Sequence, residues 1–122
     1  MPDNTSQHLA NPCVIIESPF SGDVEANITY ARAAVRDSLL RGEAPIASHL
    51  LHTQPGILND YIAAERALGI DAGHAWLPSA SAVAVYTDRG ISGGMQLGID
   101  RAVTAGVRVE YRTLTSEHGV LS

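Results

Sequence analysis

The stretch from residue 81 to residue 111, SAVAVYTDRGISGGMQLGIDRAVTAGVRVEY, limits this chain to very few architectures. After Ser81 the run AVAVY is short, apolar and partly β-branched, as befits a strand buried on both faces. A loop carrying Gly90, Gly93 and Gly94 follows, and then the period changes. Met95, Ile99, Ala102 and Val103 recur at helical spacing until Gly106 stops them, and residues 107–111 read as a second strand. Strand, helix and strand in this order make a βαβ unit, which requires a parallel sheet and a right-handed crossover. The turn between the first strand and the helix leaves backbone N–H groups free at the positive end of the helix dipole. Ser92, Gly93, Gly94 and Met95 are therefore candidates for holding a phosphate or carboxylate.

The preceding residues extend the same pattern. Residues 13–16 are an apolar run that fits a first strand, ESPFSGD at residues 17–23 is the loop at its carboxyl end, and Asp23 suits an N-cap. Val24, Ile28, Ala31, Val35 and Leu39 then mark the buried stripe of a helix, with Arg32, Arg36 and Asp37 on its solvated face. Residues 44–48 form a second strand, with Pro45 near its start, where proline is tolerated. HLLHTQPGILN, residues 49–59, is a long connection broken at Pro55-Gly56. Residues 60–68 read as helix, Gly69 interrupts, and residues 70–77 continue helically to Pro78. The order β-α-β-α-β-α-β places the strands in one parallel sheet with helices on both faces. This α/β domain spans residues 13–114, between a frayed tail at 1–12 and a C-terminal tail at 115–122.

Composition removes several function classes. With 122 residues, 45% apolar and 17% charged, the chain has material for one modest core. No apolar run approaches the roughly 20 residues of a spanning helix, and the N-terminus lacks a signal pattern, so no membrane partner and a cytoplasmic location are expected. A net charge of −5 argues against nucleic acid as a partner, and the one cysteine rules out an internal disulfide. Cys13 opens a strand expected to be buried, where a thiol acts as a small apolar group rather than a nucleophile. No metal site is expected: His49 and His52 are three apart but outside a clear helix, and no HExxH or paired cysteines accompany them. ISGGM is not GxGxxG, and GK[ST] does not occur, so neither dinucleotide nor P-loop chemistry is indicated and no cofactor is expected.

Ligands of parallel sheets bind beyond the carboxyl ends of the strands. That rule gathers the loop at 17–23, His49, and the loop at 87–94 along one edge. Phe20, the only phenylalanine, serves either as a staple on the following helix or as a stacking surface for a base. His49 serves either as a hydrogen-bonded structural residue or as a ligand and acid–base group.

ESPFSGD, EANITYARAA, RGEAPIASHLL, ERALGIDAGHAWL and VYTDRGISGGMQLGIDRA followed by GVRVEYR together resemble the nucleoside 2-deoxyribosyltransferase-like superfamily, and more closely its small phage and actinobacterial branch. The likeness covers residues 14–114. It implies a Rossmann-like three-layer sandwich with a mainly parallel sheet of four to five strands, a nucleoside or nucleotide in the strand-end cleft, and a homodimer or higher homo-oligomer whose neighbour completes that cleft. Trp76, Leu77 and Tyr61 are candidates for the contact between subunits. The likeness implies that Ser18, Pro19, Phe20, Ser21 and Gly22 form the first substrate-contacting loop. Ser92, Gly93, Gly94 and Met95 match the segment that holds a 5′-phosphate. One position departs from the pattern: where the catalytic families carry a glutamate on the helix after this turn, this chain has Gly98, which removes the usual nucleophile. Asp100 lies roughly 200° further round the helix and points elsewhere.

Glu17, Asp23 and Asp88 are the carboxylates bordering the expected cleft. Glu17 reads first as a rim residue and Asp23 as a helix cap. Asp88 fits the acid role best, because a residue just past a strand end faces the ligand free of any helix register, although its place before Arg89-Gly90 also suits turn formation. Three classes of function stand: an enzyme acting on an N-glycosidic bond by hydrolysis or deoxyribosyl transfer, a binder that sequesters or senses a nucleotide-like ligand, and a ligand-free scaffold.

Overall fold

Side-chain alternation along the first strand, β1 (Cys13–Glu17), sorts the molecule into two layers of core. In the computed structural model, which describes residues 11–114, Val14 and Ile16 face one side of the sheet and Ile15 the other. The tail expected at 1–12 falls almost wholly outside the described residues, and the one at 115–122 wholly so. The remaining strands are β2 (Ala44–Ile46), β3 (Ala82–Tyr86) and β4 (Arg108–Arg112). The sheet order is β2-β1-β3-β4 and every neighbouring pair is parallel. The fold is thus the expected Rossmann-like α/β sandwich, with four strands.

Helix α1 (Val24–Leu40) covers one face, packing Tyr30 and Ala34 on Val14, Ile16, Ala84 and Tyr86. On the other face α4 (Gly93–Thr104) packs Met95, Ile99 and Ala102 on Ile15, Val83 and Val85, joined by Leu77 from a short 3₁₀ turn (Leu77–Ser79). β3 is buried at every residue, which accounts for its unbroken apolar run. Between β2 and β3 lie a four-residue helical turn, α2 (Ser48–Leu51), and α3 (Ala63–His74).

Four local expectations change. β2 ends at Ile46 because Ser48 already begins α2, inside what reads as irregular connection. Residues 63–74 form one helix through Gly69. Leu39, expected in the buried stripe of α1, is exposed, whereas Asp37, expected outside, is buried. The reason is a polar network under that face: Tyr86 Oη donates to Asp37 at 2.7 Å, Arg41 Nε pairs with Asp37 at 2.8 Å, and Arg112 is hydrogen-bonded to Tyr86 Oη and to both Glu43 oxygens. A buried carboxylate is tolerated when partners surround it, and the helix rotates to supply this one. Finally, Cys13 is exposed rather than buried, because it begins β1 at the end of the sheet away from the strand-end loops.

Among the described residues no helix is long and apolar enough to cross a membrane.

Candidate functional site

From β1 the chain leaves toward β2 on one side and reaches β3 on the other, so the gap between β1 and β3 is the sheet's topological switch point. A cavity of about 130 Å³ lies there. Its walls are the end of β1 with the loop after it, the first turns of α4, and α2 and α3 on the far side. The helical spacing of Arg66, Gly69, Ile70, Gly73 and His74 gives α3 one continuous face toward it.

Of the residues singled out from sequence, Ser18, Phe20, Ser21, His49, Ser92, Gly94 and Met95 line this cavity together. Pro19 is buried beside it, and Gly22 sits in the exposed turn beyond with φ of 101°. Gly93 opens α4 but is not part of the wall. Asp23 caps α1, its Oδ1 accepting from the Ala26 N–H. Asp88 is placed differently: Tyr30 Oη donates to it at 2.7 Å and the Leu114 N–H at 2.9 Å, and it does not line the cavity. It ties β3 to α1 and to the chain after β4, on the sheet face opposite α4.

The start of α4 is partly satisfied from within. Ser92 Oγ accepts from the Met95 N–H at 3.2 Å, and Met95 Sδ accepts from the Ser92 N–H at 3.4 Å. The N–H groups of Gly93 and Gly94 have no helical acceptor. The first loop is pinned by Asn27, a buried α1 residue whose Nδ2 donates to the Phe20 and Ser21 carbonyls while its Oδ1 accepts from Arg89 Nε. Sequence reading does not find Asn27, which looks like any polar residue on a helix.

Two titratable groups at the cavity are far from their ordinary states. Ser18 Oγ lies 2.7 Å from His49 Nε2, and burial holds the His49 pKa down to about 4, so the imidazole is neutral at physiological pH. Glu17 has no ion-pair or hydrogen-bond partner for its carboxyl among the described residues, and burial alone pushes its pKa up to about 8. It sits where Gly98 leaves room: a Cβ built on Gly98 would overlap Glu17 Oε2 and lie 2.7 Å from Cδ. Glu17 shares the parity of Ile15, so it faces α4, and that signal was available in the sequence. Two further lining residues, His52 and His74, each hold a buried Nδ1 with no partner among the described residues. Unsatisfied buried nitrogens around a cavity are the groups a polar ligand would satisfy. Among the described residues no group of three potential ligands is placed to hold a metal ion.

No curated protein matches the chain. A family model described as a domain of unknown function (DUF7768) matches residues 12–112, nearly all of the described fold, and the chain belongs to that family.

Proposed function

We propose that the protein binds a nucleoside or nucleotide in this cavity and acts on its N-glycosidic bond. The observation that carries the reading is convergence: the ESPFSGD loop and the SGGM turn, some seventy residues apart, wall one cavity at the switch point of a parallel sheet. In this reading the base enters the cavity past Phe20, and a 5′-phosphate meets the free N–H groups of Gly93 and Gly94 at the start of α4. The resemblance to the nucleoside 2-deoxyribosyltransferase-like superfamily points the same way, and with it we propose a cytoplasmic homo-oligomer. A second reading, a binder that senses or sequesters the ligand without turnover, is favoured by Gly98, which puts no carboxylate on α4 at the place where the resemblance expects one.

Calorimetry with a nucleoside and its 5′-monophosphate tests the binding mode. Charge-assisted hydrogen bonds contribute about 1.5 to 3 kcal/mol each, so the monophosphate is expected to bind roughly tenfold or more tightly. Gly94→Val should abolish that preference: a Cβ at Gly94 meets only Ser92 Oγ, at 4.0 Å, so the larger side chain fits the protein and obstructs the ligand instead. Equal affinity of the parent for both ligands would sink the phosphate placement.

A further inference from the structure

We propose that Glu17 is the acid of this site, handing its proton to the departing base, and that Gly98 is glycine because the Glu17 carboxyl occupies that space. The proposal rests on the nucleoside reading above and names the group that would perform its chemistry. Three observations on the molecule carry it. The Glu17 carboxyl is directed to the α4 side of β1 and borders the cavity. Among the described residues it has no cation or hydrogen-bond donor to stabilise its charged form, unlike Asp37, Glu43 and Asp88, each of which is bound by tyrosine, arginine or backbone N–H groups. Its contact with Gly98 is so close that no larger residue fits there without moving it. A carboxyl kept neutral at physiological pH is a proton donor, and a donor inside a cavity acts on whatever group enters.

The step balances without an outside reagent. The Glu17 O–H bond breaks and its proton goes to a ring nitrogen of the base. The C1′–N bond breaks with its electron pair leaving on the base. A water oxygen bonds to C1′, and the proton lost by that water returns to the Glu17 carboxylate. One water is consumed, and free base and sugar are formed.

The other titratable groups around the cavity are His49 from α2, His52 and Asp60 from the connection, and Glu65, Arg66 and His74 from α3; the wall contributed by α4 holds none. His49 and His74 are shifted down by burial, so neither ionises near pH 8. A basic limb there belongs to Glu17.

The full chain is incubated with the common 2′-deoxynucleosides and their 5′-monophosphates between pH 5 and 9, base release is followed by chromatography, and binding is followed by calorimetry. The parent should release base, at a rate falling as pH rises through about 8. Glu17→Gln should release at least about a hundredfold less while binding within a few-fold of the parent, in keeping with the roughly 10² to 10⁴ that a positioned acid contributes. Asp100→Asn, on the outer face of α4, should match the parent. If Glu17→Gln does not fold, Glu17→Asp decides instead: it keeps the acid but shortens its reach, so turnover should drop at unchanged affinity. Release by Glu17→Gln at the parent rate overturns the acid and leaves the nucleoside reading intact. Binding by the parent without any release overturns the acid and selects the second reading, and neither binding nor release overturns both.

Discussion

Glu17 and His49 are oppositely perturbed by one cause, because burial disfavours whichever form is charged. For Glu17 the folded pKa of about 8 stands above the ordinary 4.5. The unfolded chain gives up this proton near pH 4.5 while the folded chain keeps it, so folding loses stability steadily as pH rises from about 5 to about 8 and no further above that. His49 works the other way: held down to about 4 from 6.5, it costs stability as pH falls through that window. Glu17→Gln removes the first dependence and keeps the second. The difference in thermal midpoint between Glu17→Gln and the parent should therefore be small at pH 5, grow in favour of the variant up to pH 8, and then level off. Parallel unfolding curves across that range would mean that Glu17 ionises like a solvent-exposed carboxylate. The same comparison separates stability from chemistry, since the substitution that should stop base release is also the one that should stabilise the fold at alkaline pH.

α3 shows how an element can be read correctly in kind and wrongly in detail. Gly69 looks like an interruption, but it and Gly73 are both contacts: a Cβ on Gly69 would stand 3.2 Å from Leu58 Cδ1, and one on Gly73 would overlap Ser48 Oγ at the start of α2. Their spacing puts both on the face that closes the cavity, where missing side chains let the helix sit low on the connection. Gly73→Leu should lift α3, lowering stability by about 1 to 3 kcal/mol in urea unfolding and weakening nucleotide binding together. Unchanged unfolding would show that α3 is not seated there. What the sequence makes legible is whatever depends on neighbours along the chain: four strands as short apolar or alternating runs, α4 from its period, and the loops that meet at one edge. Contacts between distant residues are not legible in this way. Asp37 looks solvated until Tyr86, forty-nine positions away, is seen to donate to it, and Asp88 looks like a free strand-end acid until Tyr30 and the Leu114 N–H are found on it. Glu17 lies between these cases, since its parity with Ile15 was readable but the space left by Gly98 was not.

At the scale of the whole molecule, the inward face of α3 lines the cavity, and among the described residues α3 and the chain on either side of it expose several large apolar side chains. Tyr61 is 86% exposed, Leu68 62% and Trp76 49%, with Ile57, Ile62 and Leu51 exposed on the same stretch of chain between β2 and β3. The sequence leaves Trp76 open between core and contact surface, and its exposure favours contact. Isolated exposed apolar residues are ordinary, but several large ones on one stretch mark a surface that gains by being covered. Its position matters for function, because the elements that would carry a subunit contact are the ones that wall the cavity, so pairing would restrain α3 and favour the closed site. The proposed homodimer therefore predicts a linked result. Leu68→Glu with Trp76→Ala should convert the parent from an oligomer to a monomer in light scattering at micromolar concentration. It should also weaken nucleotide binding severalfold, although neither residue is a cavity wall. A parent that is already monomeric at that concentration removes the assembly. An oligomer that dissociates without loss of affinity would instead show that one subunit holds the complete site, with α3 fixed by its contacts to Ser48 and Leu58 within the chain.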